Sequence, residues 1–318
     1  MKATTKLPDD PALPALAAIR AIGLARALPA LNLDGRPVQF SLLRYHAGRR
    51  AAVEARVGQR HFVLKISASD PSPEVEVHQA LMAAGLAGEA GERVPPLLAW
   101  DRDLRVLVIG WLEGPAAAQL IERGEGARAG ELAATWLRRA ASLEIKLGPP
   151  LGAARMLGRA RKWAAAVAEA DPSLKDAANV VVTTLTRTQP NDVMPRLVNG
   201  GLYGDHVLDL GGGPGVIDWG RFGQGPLALD AGVFLASISR LRFRDESLAS
   251  EVARAERAFS KPTADLLDAR AVTWHCAAEL LRFAKKADSQ NGRWPAGARR
   301  ALLREAARLA ELPNDSNH

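Results

Sequence analysis

The run "HVLDLGGGPGVIDWG", residues 206–220, limits the fold more than any other stretch of this chain. Three consecutive glycines between two short β-branched segments can form the cofactor loop of a strand–loop–helix unit, or the tip of a β-hairpin. The first option needs a helix directly after the loop. The next residues are "VIDWGRFGQGPLALDAG", which crowd Gly215, Gly220, Gly223, Gly225 and Pro226 into one short span. Helix propensity opposes a helix there by several kcal/mol. From Leu227 onward the pattern is helical, with no further strands to build a parallel sheet, so a methyltransferase-like loop is set aside. "LDL" and "VID" instead pair as two short strands with glycines at the bend.

Periodicity divides the rest of the chain. "VQFSLLRYHAGRRAAVEARVGQRHFVLKI", residues 38–66, has β-prone runs broken at Ala47-Gly48 and Gly58-Gln59, which predicts three antiparallel strands. "SPEVEVHQALMAAGL" predicts a helix from about 73 to 85, with Ser72 as cap, Pro73 opening it, and Val77, Leu81 and Ala84 at helical spacing. "RVLVIGWL" reads as a buried strand ended by "EGP". Beyond Ala116, "GELAATWLRRAASLEIKL", "ARMLGRARKWAAAVAEA" and "LLDARAVTWHCAAELLRFAKKA" are amphipathic helices, and only residues 197–219 interrupt them with strand-like sequence. The expected organisation is an N-terminal helical segment over 1–36, a small β-rich lobe with one helix over 37–112, and a larger helical lobe over 113–318.

At 318 residues with 47% apolar and 24% charged content, the chain is expected to be globular. Asp9, Asp10, Arg20 and Arg26 interrupt the apolar start, which reads as an amphipathic helix and not an export signal or a membrane span. Cys276 is the single cysteine and has no partner for an intramolecular disulfide, so a cytoplasmic location is expected. The net charge of +7 is spread among alanines and leucines without a basic run, which disfavours nucleic acid as a partner and suits nucleotide phosphates or an anionic substrate.

The hairpin reading places Asp218 at the end of "VIDW", where a rigid strand would present a hard oxygen ligand suited to Mg²⁺. Lys65 ends "FVLKI", and Glu74 lies in the first turn of the next helix. With these residues the sequence resembles the aminoglycoside phosphotransferase family, a protein-kinase-like group that includes choline- and fructosamine-kinase-like enzymes. The resemblance runs from about Val38 to Leu309. "FVLKI" is similar to the phosphate-holding strand, "EVEVHQALMAAGLAGEAGERVP" to the small-lobe helix and its trailing segment, "VIGWLEG" to the interlobe hinge, and "VIDWGRFGQGPLALDAGVFLA" to the metal-binding strand. The resemblance implies a bilobal α+β kinase-like fold that uses ATP or GTP with Mg²⁺. Lys65 would hold the α- and β-phosphates and Glu74 would pair with it. Gly110 and Leu112 of the hinge segment would meet the nucleotide, Asp218 would bind metal, and Asp230 would play a structural hydrogen-bonding part.

One motif departs from the family. Its catalytic loop reads approximately His-Gly-Asp-Leu-His-x-x-Asn, whereas this chain has "NGGLYGDH", Asn199 to His206. Gly201 stands at the base position and His206 at the asparagine metal-ligand position. Sliding Asp205 into the base role would put Leu210 at the ligand position and leave eight residues to Asp218, so the register with twelve residues from His206 to Asp218 is kept. Glycine cannot take or orient a hydroxyl proton, a function typically worth about 10²- to 10⁴-fold. Imidazole suits softer metals than Mg²⁺. Asp205 and His206 remain candidates for acceptor contact.

Three functions stay open: a slow small-molecule kinase, a catalytically inactive nucleotide- or metabolite-binding protein acting through a partner, and altered chemistry on the same fold. The acceptor is not legible, although fifteen Lys/Arg against eleven Asp/Glu over residues 240–318 disfavour polycationic aminoglycosides. Oligomeric state is not legible either. Trp274, His275 and Cys276 share one amphipathic helix and are expected in core or surface roles.

Overall fold

A computed structural model describes residues 6–33, 35–191, 194–287 and 294–311. The chain forms two compact units, Met1–Glu89 with Arg93–Glu113, and Ala90–Glu92 with Gly114–His318. In the first, α1 (Pro14–Ile22) and α2 (Leu24–Ala27) precede β1 (Gln39–His46), β2 (Arg50–Val57) and β3 (Arg60–Ser67). Then come α3 (Ser72–Ala83), β4 (Leu97–Asp101) and β5 (Val106–Gly110). The strands pair antiparallel in the order β1-β2-β3-β5-β4. The predicted turns fall at Gly48 and Gly58, both at positive φ.

Alternation along β3 sends Phe62, Leu64 and Ile66 to one face, where they pack with Val53, Val106, Val108 and with Leu13, Leu16, Ile19 and Leu28 of the N-terminal segment. That segment is not one continuous helix, because Gly23 at φ 78° separates α1 from α2; its first five residues lie outside the described ones. Val63 and Lys65 take the opposite face, where Val63 packs with Val75 of α3, Leu107 and Ile109. The helix begins one residue earlier than expected. Ser72 is its first residue and not its cap, and Asp70 Oδ1 accepts from the Ser72 N–H at 2.9 Å and its hydroxyl at 2.6 Å. The edge strand β4 had no strand-like signal in "RVPPLLAW".

The second unit contains α4 (Ala117–Glu122), α5 (Gly126–Ala141), α6 (Ala153–Ala170) and α7 (Lys175–Arg187). Next come four short strands, β6 (Arg196–Val198), β7 (Val207–Asp209), β8 (Pro214–Val216) and β9 (Gly223–Gly225). The helices α8 (Leu227–Arg244), α9 (Ala249–Thr263), α10 (Ala269–Lys286) and α11 (Ala298–Ala310) complete it. Helix α8 is buried on most of its surface and passes close to α10 at Gly232. A Cβ at Gly232 would stand 2.6 Å from His275 Cβ and 2.8 Å from the Val272 carbonyl, so the α8–α10 approach depends on the missing side chain.

His275 is fully buried there, and neither ring nitrogen has a hydrogen-bond partner among the described residues. Burial pushes its pKa down from 6.5 to about 3. The folded value lies below the unfolded one, so between those limits the unfolded chain binds a proton that the folded chain refuses. The stability from the neutral ring is complete above pH 6.5 and is lost as the pH falls. His275→Leu is therefore expected to be less acid-labile, narrowing the stability difference between about pH 7.5 and about pH 4.5 by on the order of 2 kcal/mol, as read from urea midpoints. An unchanged difference would refute this account.

Candidate active site

The tri-glycine stretch is a hairpin. Strands β7 and β8 pair with Val207 opposite Val216 and Asp209 opposite Pro214. Gly211 supplies the left-handed turn at φ 80°, and Asp209 Oδ1 accepts from its N–H at 2.9 Å. Arg128 of α5 clamps Asp209 through two bonds of 2.8 Å and holds its carboxyl below the usual range. The hairpin is thus anchored to a long helix.

Past β8 the chain bends to present Asp218. This residue has φ 59°, a left-handed conformation that Asp tolerates better than most residues but that still stores strain. Its neighbours hold it there. Asn199 Nδ2 donates to the carbonyls of Ile217 at 3.3 Å and Asp218 at 3.2 Å, the Ile217 N–H donates to the His206 carbonyl at 3.0 Å, and buried Trp219 donates back to the Val216 carbonyl at 3.1 Å. The Asp218 side chain is half-exposed, with Oδ2 at 3.8 Å from His206 Nε2.

The loop from Asn199 to His206 is tied from below by Asp230. This buried carboxylate accepts from the Asn199 N–H at 2.7 Å and the Gly200 N–H at 2.9 Å. Burial raises its pKa to about 7 against the lowering effect of those two bonds. Two adjacent glycines in the loop differ in kind. Gly200 sits at φ 70°, and a Cβ there would come within 2.4 Å of the Arg221 carbonyl. Gly201 is not at positive φ, and a Cβ there would meet only ordinary contacts, Arg221 Cδ at 3.4 Å and Tyr203 Cε2 at 3.5 Å. Gly200 is required by the backbone; Gly201 is a missing side chain.

His206 Nδ1 lies 2.8 Å from the Gly201 carbonyl. A carbonyl only accepts, so Nδ1 carries the proton and Nε2 is directed toward Asp218. Asp205 points elsewhere, to Arg240 of α8 at 2.9 Å. The loop therefore brings Asn199, Gly201, His206 and Asp218 together and turns Asp205 away. In the other unit, Lys65 donates to Glu74. The Gly110 N–H is already used by the Pro96 carbonyl at 2.8 Å, whereas the backbone of Leu112 hydrogen-bonds to no described residue.

Sequence reasoning missed a polar cluster beside the loop. Tyr203 donates to Glu279 Oε1 at 3.0 Å, Arg282 donates to both Tyr203 and Glu279, and Arg221 donates to the Tyr203 hydroxyl at 3.2 Å. Glu279 is 1% exposed and Arg282 7%. The only sequence signal was an i,i+3 Glu–Arg pair within an otherwise apolar stretch of α10.

As a metal site, the residues fit an ion that a nucleotide helps to hold. Among the described residues no three His, Cys, Asp or Glu side chains form a cage, but Mg²⁺ in phosphate chemistry takes one or two protein carboxylates plus phosphate oxygens and water. In such a site Asp218 would supply the carboxylate, with His206 Nε2 as the softer donor 3.8 Å from its Oδ2.

Solved structures with this architecture are kinase-like small-molecule phosphotransferases. Choline kinase LicA from Streptococcus pneumoniae is 10% identical with a TM-score of 0.57, covering 89% of this chain and 96% of its own. An aminoglycoside-3'-phosphotransferase of type VIII is 20% identical with a TM-score of 0.54, covering 79% and 96%. The aminoglycoside phosphotransferase APH(2'')-Ib, solved with ADP, is 14% identical with a TM-score of 0.53, covering 89% and 98%. These likenesses show the α+β protein-kinase-like fold. The sequence profile of the phosphotransferase enzyme family matches residues 41–280, and the chain belongs to that family. No curated protein matches the sequence. Among the described residues no helix is long and apolar enough to cross a membrane.

Proposed function

We propose that this protein transfers the γ-phosphate of ATP or GTP to a hydroxyl of a small cytoplasmic metabolite, and does so slowly. The observation that carries the reading is the retained catalytic-loop scaffold around an absent carboxylate: Asp230 holds Asn199 and Gly200, Asn199 and His206 hold the Asp218 segment, and position 201 has room for a side chain it lacks. In the transfer, the bond from the γ-phosphorus to the β-phosphate oxygen breaks and a bond to the acceptor oxygen forms. The hydroxyl proton leaves to solvent, since Gly201 offers no base. Lys65, fixed by Glu74, holds the α- and β-phosphates, and the backbone of Leu112 meets the base. Asp218 is the residue that would hold a divalent ion, whose charge would neutralise the phosphates.

Arg221 lies over position 201, where a base would stand, and this favours a second reading, nucleotide binding without transfer. One experiment separates the two. Thermal shift with ATP or GTP and Mg²⁺ is expected to show stabilisation of about 2.7 kcal/mol at a hundredfold excess over Kd. Lys65→Ala should lose most of it. Mass spectrometry of a hydroxylated metabolite panel then looks for a phosphorylated product. Stabilisation without any product selects the second reading, and no stabilisation by either nucleotide refutes both.

A further inference from the structure

Four elements of the second unit gather cations around Tyr203 and the neighbouring end of α10. Arg221, from the segment after Asp218, and Arg282 of α10 both reach the Tyr203 hydroxyl. Arg159 of α6 lies close to both, Arg240 of α8 lies over the Phe283 ring at 4.8 Å, and Lys286 follows Arg282 by one turn of α10. The carboxylates among them are Glu279 and Asp205. Arg282 takes the first and Arg240 the second. Arg159, Arg221 and Lys286 are left without a carboxylate partner among the described residues. The Arg159 guanidinium lies over the Trp163 ring at 5.0 Å, and the Arg221 guanidinium donates to the Tyr203 hydroxyl at 3.2 Å.

The gathering works against each member. Burial is the main cause that lowers the Arg159 pKa, with Arg221 and Arg282 adding to it against the pull of Glu279. Lys286 reaches the surface, but the protein around it withholds enough water to lower its ammonium to about 8, with Arg282, Arg221 and Arg240 pushing the same way against Glu279. Like charges assembled beside a reacting position, with their repulsion only partly relieved by Glu279 and Asp205, are matched by an anion that arrives with the ligand. The solved relatives LicA and the aminoglycoside phosphotransferases are kinases of choline and aminoglycosides, which are cations; a cluster of this sign would repel them.

We propose that the acceptor is a small alcohol or polyol that also bears an anionic group, a carboxylate or a phosphate, held by Arg159, Arg221 and Lys286 beside position 201. The proposal rests on the phosphotransferase reading for where the hydroxyl lies. The anion-binding cluster itself can be tested without turnover.

The test is calorimetry in a saturating non-hydrolysable ATP analogue, with glucose, gluconate, glucose phosphate, glucosamine, acetate and inorganic phosphate as probes. Each is titrated into the wild type, Lys286→Gln and Arg159→Gln. Anionic probes are expected to bind at least about tenfold more tightly than glucose or glucosamine, and to weaken about tenfold with each charge removed and with rising salt, while glucose is unchanged. Gluconate and acetate against glucose phosphate and inorganic phosphate decide between carboxylate and phosphate. Equal or tighter binding of glucosamine, anion affinity unchanged in both variants, no anion binding at all, or anion binding abolished by the nucleotide analogue would each overturn the proposal. Lys286 is exposed, so Lys286→Gln keeps the test valid if Arg159→Gln misfolds. Nucleotide stabilisation without anion binding sinks this proposal alone. Anion binding without nucleotide stabilisation sinks the phosphotransferase reading alone.

Discussion

Asp218→Asn is expected to abolish metal-dependent nucleotide stabilisation and to lower any transfer rate by at least about a hundredfold, with the melting temperature of the unliganded protein nearly unchanged. The substitution suits the question because it removes charge and little else. Asn tolerates the left-handed backbone at φ 59°, whereas Ala there would add steric strain and confuse a folding defect with a binding one. The side chain is half-exposed, so the core loses nothing. The carbonyl and N–H groups that hold the segment belong to the backbone of Ile217 and Asp218 and persist. What changes is the donor for a divalent ion, and a metal that stabilises transferring phosphate charge is worth several kcal/mol, each 1.36 kcal/mol being about a factor of ten. The measurement is thermal shift with and without Mg²⁺ for both proteins. Equal nucleotide shifts would remove Asp218 from the metal site. Asp218→Gly makes a useful partner, since it relieves the strained φ and should raise intrinsic stability while losing the same nucleotide response.

How much of this was legible in the sequence depended on how local each signal was. The β3 alternation that separates Phe62, Leu64 and Ile66 from Lys65 is a period-two pattern written in eight residues, and the hairpin before Asp218 announces itself through its glycines. Strand β4 was missed because Pro95 and Pro96 mask its start, while its partner β5 supplies the hydrogen bonds that make it a strand. The break at the single residue Gly23 and the start of α3 at Ser72 in place of Pro73 are one-residue features, which propensity does not resolve. The cation cluster is of another kind. Arg159, Arg221, Arg240 and Lys286 each look like an ordinary surface residue of an Ala/Leu/Arg-rich chain. Only packing of α6, α8 and α10 around the loop shows that they share one place. Likewise only the resemblance to the family's loop, and no propensity or pattern in "NGGLYGDH" itself, separates Gly200 from Gly201. The difference between a glycine the backbone demands and one that merely lacks a side chain lies in φ and in what a Cβ would touch.

That difference sets up the second large effect. Gly201→Asp is expected to raise the transfer rate by about 10²- to 10⁴-fold, the usual contribution of a positioned acid–base group. The local structure permits the change. Position 201 is not at positive φ, its Cβ would touch Arg221 Cδ at 3.4 Å without overlap, and the His206 contact uses the Gly201 carbonyl, which the substitution leaves in place. The new carboxylate would stand beside the Arg221 cation, which compensates part of its desolvation and keeps it ionised at neutral pH. A like substitution at Gly200 would instead force a side chain into the Arg221 carbonyl and unfold the loop, so it serves as the negative control. Gly201→Asn has nearly the same shape without the ability to take a proton, and should gain little. The three variants are compared by single-turnover product formation, with circular dichroism and nucleotide thermal shift to confirm folding and binding. A folded, nucleotide-binding Gly201→Asp no faster than the wild type would mean that the missing carboxylate is not what limits this chain, and would point instead to His206 or to a binding role. Equal gains for Asp and Asn would assign the effect to filling the space beside Arg221 and not to proton transfer.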